Sequence, residues 1–380
     1  MNAQTLPQIT NQTNLRGKRV IVRTSLDVPI ENGIVVNDFR LIKALPTIMF
    51  LIEEGARVVV LTHVGRDPKN TTEPIFHALQ KHIALSHTES VKGEDVKETI
   101  DALKDGEVLL LGNLRAYDEE ESNDTAFARE LASYADYYVN DAFAVSHRAH
   151  ASIVGIPTHI QGFAGVTFAE EYEHLSRALN PEHPALFILG GAKFETKQPL
   201  ILRYADLYEH VFVGGAIAND LIKAKGYEVG ESLLSPVDLT GTDVMKKTNI
   251  LIPIDVVVGG ERGKCVVDVG DVKLDEKILD VGIASIEMLK PYIENAKTIL
   301  WNGPLGNYEG GFDAATKACA QLVAESRAFS IVGGGDTVTA IESLGISDQF
   351  GFLSTAGGAM LEFLEKGTLP GIDALMNPRP

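Results

Sequence analysis

Cysteine is scarce in this chain, and long apolar segments are missing from it. Only two of the 380 residues are cysteine, Cys265 and Cys319, which are too few for a disulfide framework. We interpret both as reduced residues of a cytoplasmic protein. No apolar run is long enough to span a bilayer, and the first residues lack the charged-then-apolar pattern of a secretion signal. We therefore expect neither secretion nor a membrane partner.

Basic residues are few as well. The chain has 34 lysines and arginines against 52 aspartates and glutamates, which gives a formal net charge of −18. Because nucleic acids and anionic membranes select basic surfaces, this balance argues against either as a partner. We expect a monomer that acts on small-molecule substrates.

Length and patterning predict the fold class. A chain of 380 residues is too long for one ordinary core, so we expect two domains. Strand-like and helix-like segments alternate throughout, which indicates an α/β protein with two doubly wound, Rossmann-like parallel sheets. We place the first domain at residues 1–166 and the second at 167–365, joined by a connecting helix at Phe168–Leu179. The tail, residues 366–380, has a pattern that allows it to pack on the first domain.

Glycine-rich turns follow the strands of the second half. The apolar run Phe329–Val332 leads into Gly333–Thr337, and a helical pattern begins at Val338. Alone, this segment is more simply interpreted as a turn capped by Asp336 or Thr337. The same arrangement recurs, however, at four further strand ends: Gly190–Lys193, Gly214–Gly215, Asn302–Gly306 and Ser354–Gly358.

These glycines predict a nucleotide site. The carboxyl ends of parallel strands lie at one edge of a sheet, where ligands bind. Glycine lets a phosphate approach the backbone, and a helix N-terminus attracts it. Asp336 adds an oxygen ligand for the Mg²⁺ that accompanies a nucleoside triphosphate.

Basic residues occupy the corresponding positions in the first half. Any one of them is more simply interpreted as a solvated or salt-bridged surface residue. Their repetition near strand ends favours a small polyanionic ligand instead, because arginine offers a planar fork to carboxylate and phosphate. They are Arg23, Arg40, His63, Arg66, Arg115, His147 and Arg148.

Phosphoryl transfer is the simplest chemistry that joins a polyanion to a magnesium nucleotide. It needs alignment and charge neutralisation, and an acceptor that is already ionised needs no general base. This agrees with the lack of a convincing Ser/His/Asp or paired-carboxylate arrangement. Lys193 and Lys197 are placed to reach phosphates, although a solvated helix-start lysine is the simpler interpretation of Lys193 alone. Arg40 is placed to meet the transferring group.

Two rival chemistries lack part of their motifs. A dinucleotide-dependent oxidoreductase needs a third glycine where Val338 stands, and no Walker-type Gly-Lys-Ser/Thr occurs. His147 and His150 suggest zinc, but no cysteine or carboxylate set completes such a site.

From about Gly17 to Met376, the chain resembles phosphoglycerate kinases. The motifs occur in that family's order, and together they are far more specific than any one of them. They are Asn37–Arg40 with Ala44–Ile48, His63–Arg66, Asn113–Arg115, Val139–Phe143 with His147–Ser152, Ile188–Lys193, Ile252–Val257, Trp301–Pro304, Gly333–Thr337 and Thr355–Ala359.

The resemblance implies reversible transfer between 1,3-bisphosphoglycerate and ADP in glycolysis, giving 3-phosphoglycerate and MgATP. It implies a hinge whose closure over a central cleft excludes water. The glycerate positions matched by the resemblance are Arg23, Arg40, His63, Arg66, Arg115 and Arg148, with Ser25 and Asp27 in the loop that holds the substrate hydroxyl.

The resemblance also assigns the nucleotide side. Lys193 and Arg40 accompany the transferring group, and Asp336 is the magnesium ligand. The helix beginning at Gly357 and Gly358 directs its N-terminus at the transition state. The remaining phosphate positions are Lys197, Gly333, Gly334, Gly335 and Thr337. Asn302 and Glu309 are also nucleotide contacts, with Glu309 at the ribose. Gly191 and Gly215 are at the adenine.

Some positions depart from the family's pattern. Ser25 stands where an aspartate is expected, and Asp27 stands where an asparagine is expected. Gly112 replaces a glutamate, Ala356 replaces the first of three glycines, and the segment Lys193–Lys197 differs between its two lysines. The changes at residues 25 and 27 leave an alternative open, a non-catalytic homologue that binds nucleotide and phosphometabolite.

Overall fold

The computed structural model describes residues 6–10, 13–261 and 263–377. Residues 1–5, 11–12, 262 and 378–380 lie outside it, so the predictions for the first residues and for the end of the tail are not addressed. The chain divides into two units. The first takes the chain up to Glu173 together with residues from Thr368 onward, and the second is His174–Gly367.

The first unit is a parallel sheet with helices between its strands. Its six-stranded sheet has the order β5-β6-β4-β1-β7-β8, and β2 and β3 form a separate hairpin. Its strands are β1 Arg19–Thr24, β2 Ile30–Glu31, β3 Ile34–Val35, β4 Arg57–Thr62, β5 Ser86–His87, β6 Val108–Asn113, β7 Tyr137–Asp141 and β8 Gln161–Ala164. Its helices are α1 Phe39–Glu53, α2 Glu73–Leu79, α3 Glu94–Asp101, α4 Asp118–Glu121 and α5 Thr125–Ala132, followed by the connecting helix α6 Val166–Leu179.

The second unit is built in the same way and adds a small antiparallel sheet. The large sheet has the order β11-β10-β9-β15-β16-β17 with parallel pairing, and the small sheet has the order β13-β12-β14. Its strands are β9 Ala185–Leu189, β10 His210–Val213, β11 Ile250–Leu251, β12 Asp255–Gly259, β13 Cys265–Asp268, β14 Lys277–Val281, β15 Thr298–Asn302, β16 Phe329–Gly333 and β17 Phe352–Leu353. Its helices are α7 Phe194–Leu207, α8 Gly215–Ala224, α9 Asp243–Lys246, α10 Ile283–Asn295, α11 Ala314–Glu325, α12 Gly335–Leu344 and α13 Gly358–Lys366.

The central strands are buried because helices cover both faces of each sheet. In β1, five successive residues from Val20 to Thr24 are buried, and in β9 all five are. Such continuous apolar runs are typical of parallel sheets, whereas half-exposed strands alternate. Two doubly wound parallel sheets confirm the predicted fold class.

The connecting helix α6 is anchored in the first unit at its N-terminus. The amide of Val166 donates to Thr47 Oγ1 at 2.9 Å, and that of Phe168 donates to Asp141 Oδ1 at 3.0 Å. These bonds satisfy two of the amides that a helix N-terminus leaves unpaired. The helix begins two residues before the predicted Phe168, and the division between the units falls inside it, beyond the predicted boundary at residue 166.

The last helix of the described chain, α14 Pro370–Met376, belongs to the first unit. The amide of Gly371 donates to the carbonyl of Ser146 at 2.9 Å. A side chain at Gly371 would lie 2.6 Å from Ser146 Oγ, so this glycine allows close packing there. Leu375, on the same helix, is buried.

Within the part of the chain that is described, every helix is too short or too polar to traverse a bilayer.

Gly112, near the end of β6, has no room for the glutamate of the family pattern. A Cβ atom there would lie 1.8 Å from the backbone carbonyl oxygen of Glu89. The Gly112 amide donates to the carbonyl of Ser90 at 3.2 Å, so the two backbones are in direct contact.

We predict that Gly112→Ala lowers the thermal unfolding midpoint by roughly 5–10 °C, because a backbone carbonyl cannot move aside as a side chain can. Differential scanning calorimetry measures this. Gly270→Ala is the matched control, since its new Cβ would meet only Tyr227 at ordinary contact distance. Equal midpoints for the two variants would contradict the packing described here.

Candidate functional site

Sheet register brings the predicted basic residues of the first unit to one edge. Arg23 of β1 lies opposite Leu61 of β4 and Asn140 of β7, and Thr62 lies opposite Asn113 of β6. The segments that follow these strands therefore begin side by side. Sequence reasoning alone predicted this arrangement, because parallel strands share their carboxyl edge.

Arg23 is a buried cation held by neutral groups. Its side chain is 1% exposed. Nε donates to Ser152 Oγ at 2.9 Å, Nη1 to the Thr24 carbonyl at 2.6 Å, and Nη2 to His63 Nδ1 at 2.9 Å. Burial lowers the pKa of Arg23, yet a guanidinium keeps its proton in proteins. A positive charge is thus fixed at the end of the central strand.

A buried carboxylate, Glu120, is linked to Arg23 through one hydroxyl. Ser152 Oγ donates to Glu120 Oε1 at 2.6 Å, and the Ser152 amide donates to Oε2 at 2.9 Å. Burial raises the pKa of Glu120, and the charge of Arg23 opposes that rise. Ser152 lies in the π-helical turn Ala151–Gly155, a feature often found at functional sites. Glu120 thus orients Arg23 through Ser152.

Sequence reasoning missed Glu120. It is the third residue of the acidic run Asp118–Glu121. Such a run is typical of a solvated surface, and nothing in the sequence separates Glu120 from its neighbours. The only signal is its position shortly after Arg115 at the end of a buried strand.

His63 is a neutral ring between Arg23 and Asp27. It is 4% exposed, and burial, followed by the charge of Arg23, lowers its pKa to about 2. Arginine only donates, so Nδ1 must accept and Nε2 carries the proton. We assign this tautomer from the hydrogen-bond network. Nε2 lies 3.7 Å from Asp27 Oδ2, so the proton points towards a carboxylate.

Asp27 connects two of the predicted substrate loops. Its Oδ1 accepts from the Gly65 amide at 2.8 Å, and its carbonyl accepts from Arg40 Nη1 at 2.9 Å. Ser25 Oγ, by contrast, is buried with no hydrogen-bond partner in the described part of the chain. The carboxylate at residue 27 therefore organises this loop, and the hydroxyl at residue 25 keeps an unused donor and acceptor.

The remaining arginines surround this network with like charge. Arg115 Nη1 donates to the Gly65 carbonyl, and Nε lies 3.3 Å from Glu121 Oε1. Arg148 Nε donates to His147 Nε2 at 3.3 Å. Burial and the charge of Arg148 lower the pKa of Arg115, and the exposed Arg66 adds to the effect. An anion that binds here would relieve this repulsion.

In the second unit, three strand-end loops meet through their backbones. The Gly191 amide donates to the Pro304 carbonyl at 3.0 Å, and the Gly215 amide donates to the Leu305 carbonyl at 3.0 Å. The Ile217 amide donates to the Gly191 carbonyl at 3.1 Å. Gly191 and Gly215 have φ of +86° and +60°. A Cβ at Gly215 would lie 2.5 Å from the Gly191 nitrogen, so a side chain there would force the loops apart.

These loops form one wall of a cavity of about 540 Å³, a volume in the range of small-molecule sites. Most of its lining is apolar, with side chains from β14, α8 and the loop after β15. Four predicted nucleotide residues line it: Gly191, Gly215, Glu309 and Asp336. The apolar wall is formed by Ala216, Pro253, Val256, Ile278, Leu279, Pro304 and Leu305, among others.

The turn between β16 and α12 brings further predicted residues close to this cavity. Gly334 has φ of +100°, and a Cβ there would lie 3.1 Å from the Gly303 nitrogen. Asp336 stands in the first turn of α12. Thr337 Oγ1 is buried with no hydrogen-bond partner in the described chain. The helix begins at Gly335, three residues before the predicted Val338, because glycine and aspartate here form its first turn.

Helix α13 packs against the ends of β15 and β16. Asn302 Nδ2 donates to Met360 Sδ at 3.6 Å, and a Cβ at Gly333 would lie 2.1 Å from the same sulfur. Gly357, just before this helix, carries the positive φ of +55°. Ala356 is not among the residues with positive φ. Alanine in place of the family's glycine at residue 356 therefore introduces no backbone strain.

The two predicted phosphate lysines differ in their surroundings. Lys197 is buried, its Nζ donates to the Gly190 carbonyl at 2.5 Å, and burial lowers its pKa to about 8. Lys193 is exposed. The cavity lining does not include Lys193, Gly335, Gly357 or Gly358.

The chain is similar to known proteins over nearly its whole length. A family model described as phosphoglycerate kinase matches residues 10–367. The phosphoglycerate kinases of Dictyoglomus turgidum and Leptospira biflexa are 40% and 38% identical to the chain, covering 96% and 98% of it and 97% and 98% of the relatives. A solved structure of phosphoglycerate kinase from Coxiella burnetii aligns with a TM-score of 0.85 at 36% identity, over 97% of this chain and 98% of that one. One from Pyrococcus horikoshii OT3 aligns with a TM-score of 0.86 at 30% identity, with the same coverage.

The buried neutral His63 makes stability depend on pH. The unfolded ring takes up a proton below its ordinary pKa of about 6.5, whereas the folded ring does so only near 2. The stabilisation that the neutral His63 ring gives the folded state is therefore complete above pH 6.5. It is lost as the pH falls from about 6.5 towards 2.

We predict that the wild-type protein loses about 2 kcal/mol more stability than His63→Gln between pH 7 and pH 5. Urea unfolding at both pH values measures the difference. Imidazole NMR of the wild type at pH 5 checks the protonation state directly. A charged His63 ring at pH 5 would contradict the assignment.

Proposed function

This chain belongs to the phosphoglycerate kinase family and is a kinase, and we propose that the residues described above carry out that family's reaction. The reaction is reversible phosphoryl transfer between 1,3-bisphosphoglycerate and ADP in glycolysis, which gives 3-phosphoglycerate and ATP. Membership confirms the resemblance seen in the sequence motifs. The observation that carries the assignment of a site is the cluster of cations at the strand ends of the first unit, in a chain of net charge −18.

The first unit is the glycerate side in this proposal. Arg23, Arg115 and Arg148 offer guanidinium groups whose mutual repulsion a carboxylate or phosphate would neutralise. Neutral His63 donates from Nε2. Among the described residues Arg40 donates to the Asp27 carbonyl alone, which leaves its other donors for the transferring group. Arg66 is exposed at the same edge and adds a further cation for the phosphate.

The second unit is the nucleotide side. The apolar cavity next to Gly191 and Gly215 suits an adenine ring, and Glu309 at its edge suits a ribose hydroxyl. The glycines of the β16–α12 turn leave amides open to phosphate oxygens. Lys197 lies beside Gly190 and Asn302 lies beside Gly333, and we assign both to the phosphates.

Asp336 suits the magnesium ion that the nucleotide carries. The residue is half-buried, lines the cavity and stands in the first turn of α12. Mg²⁺ is bound through one or two carboxylates plus substrate phosphates, so a single aspartate is sufficient. When bound, the ion neutralises charge on the phosphates. Asp336 does not belong to a larger ligand cluster, since no group of three or more His, Cys, Asp or Glu in the described chain could hold a metal ion.

No proton has to be removed from the acceptor, because the carboxylate of 3-phosphoglycerate is ionised at neutral pH. The protein's work is alignment and charge neutralisation. With the two ligands held by different units, transfer requires closure when both are bound, and we place the hinge of that closure at α6. We propose a cytoplasmic location, in line with the free cysteines, and we propose that the protein acts as a monomer.

Turnover tests the proposal directly. We expect the purified chain to consume ATP when 3-phosphoglycerate and Mg²⁺ are both present, as followed in an assay coupled to reduction of the 1,3-bisphosphoglycerate formed. Binding of both ligands without turnover would instead support the non-catalytic alternative.

We predict that Asp336→Asn lowers kcat by roughly a hundredfold or more, because the carboxylate that holds the metal is lost. Asp348→Asn, at an exposed aspartate of the same unit, is the matched control and should keep wild-type turnover. Turnover by Asp336→Asn that equals the wild type at limiting Mg²⁺ would rule out Asp336 as the metal ligand.

We predict that Asp27→Asn raises KM for 3-phosphoglycerate by an amount equivalent to about 1–3 kcal/mol, with KM for ATP unchanged. Asparagine retains the acceptor for Gly65, so the change removes the charge and the second oxygen that faces His63. The double variant Ser25→Asp/Asp27→Asn should recover much of the loss, since it restores one acid and one neutral group. An improved KM for Asp27→Asn would show that Asp27 repels the substrate.

A further inference from the structure

Lys193 has a backbone conformation that residues other than glycine rarely adopt. Its φ and ψ are 65° and 74°, in the left-handed region. Three non-glycine residues of the described chain have positive φ, and the other two, Asn32 and Asn123, are asparagines, which tolerate this region. Lys193 is the exception, and it directly precedes α7.

A serine distant in sequence holds the chain at this point. The amide of Phe194, the first residue of α7, donates to Ser235 Oγ at 2.8 Å. Ser235 lies 41 residues later in the chain, in the segment between α8 and α9. Its hydroxyl thus caps a helix to which it does not belong, and it satisfies an amide that the helix leaves unpaired.

Ser235 is itself fixed by Asp220 of α8. The Ser235 amide donates to Asp220 Oδ1 at 2.9 Å, and Asp220 is 6% exposed. Burial raises the pKa of Asp220, and hydrogen bonds from the Ser235 amide and hydroxyl oppose the rise. Both groups of Ser235 thus have defined partners.

Residues of α7 that follow Lys193 restrain it further. The Phe194 side chain is fully buried, and the Lys193 carbonyl accepts from the amide and the hydroxyl of Thr196 at 3.2 and 2.9 Å. The Phe194 side chain fixes the residue after Lys193, and Ser235 fixes the amide that joins the two. If the Ser235 hydroxyl is removed, the Phe194 amide loses its hydrogen bond. The backbone of Lys193 can then relax from its strained φ.

We propose that Ser235, held by Asp220, is a positioning residue for Lys193 and keeps its side chain directed at the transferring phosphoryl group. The inference rests on the proposed function and on the role at the transferring group that the family resemblance implies for Lys193. Relaxation of residue 193 would lower the fraction of molecules with a competent lysine, and kcat would fall with that fraction. Substrate affinity would change little, because nucleotide and glycerate contact other residues.

Lys193→Ala establishes the reference. We predict that it lowers kcat far more than it changes KM for ATP, because the contact of Lys193 strengthens in the transition state. Steady-state kinetics with both substrates measures this. An unchanged kcat would refute the catalytic role of Lys193, and with it the positioning role of Ser235.

Ser235→Ala tests the inference itself. We expect kcat to fall roughly three- to thirtyfold, the range that corresponds to loss of a helix cap, with both KM values within about twofold. Ser235→Thr keeps the hydroxyl and should restore most of kcat. Thr242→Ala is the matched control: Thr242 lies in the same segment, its hydroxyl donates to the Leu239 carbonyl, and within the described residues it has no hydrogen bond to α7.

A double-mutant cycle separates positioning from general destabilisation. In the Lys193→Ala background, Ser235→Ala should cause no further loss of kcat, because no lysine is left to position. Amide exchange at Phe194 should become faster in Ser235→Ala. Two results would overturn the inference: an unchanged kcat in Ser235→Ala while Lys193→Ala is impaired, or an equal loss with and without the lysine.

Discussion

A guanidinium buried without a direct carboxylate partner is the constraint around which the first unit is organised. Burying a charge is costly unless hydrogen bonds satisfy it. Arg23 therefore needs the hydroxyl of Ser152, the ring of His63 and a backbone carbonyl, each from a different part of the chain. Glu120 lies one hydroxyl further away and only partly offsets the charge. Arg23 thus keeps a positive potential at the strand edge that a directly bound carboxylate would cancel.

For the second unit we propose that backbone groups, more than side chains, bind the anion. Its strand ends approach one another so closely that side chains at Gly190 or Gly215 would collide with neighbouring backbone atoms. In our proposal the amides of the β16–α12 turn bind the phosphates, which adds no charge to the site. Buried Lys197 adds a cation. The two units therefore provide different electrostatics on the same sheet architecture, which suits two anions that must be held separately.

The sequence predicts the strand ends well because their chemistry is local. Glycine after a buried strand, or arginine in the same place, is visible without the structure, and the parallel sheet collects these residues at one edge. What it does not show is the support behind them. Ser152 lies 129 residues from Arg23, and Ser235 lies 41 residues from Phe194. Such contacts depend on tertiary packing, which no local pattern encodes.

Hydrogen–deuterium exchange on the whole chain tests the division of ligands between the units most directly. With 3-phosphoglycerate alone, we expect slower exchange in the segments after β1 and β4, residues 24–27 and 62–66. With MgADP alone, we expect it in residues 190–197 and 333–337 instead. Protection of the same unit by both ligands, or of neither set of strand ends, would contradict the assignment of the glycerate to the first unit and the nucleotide to the second.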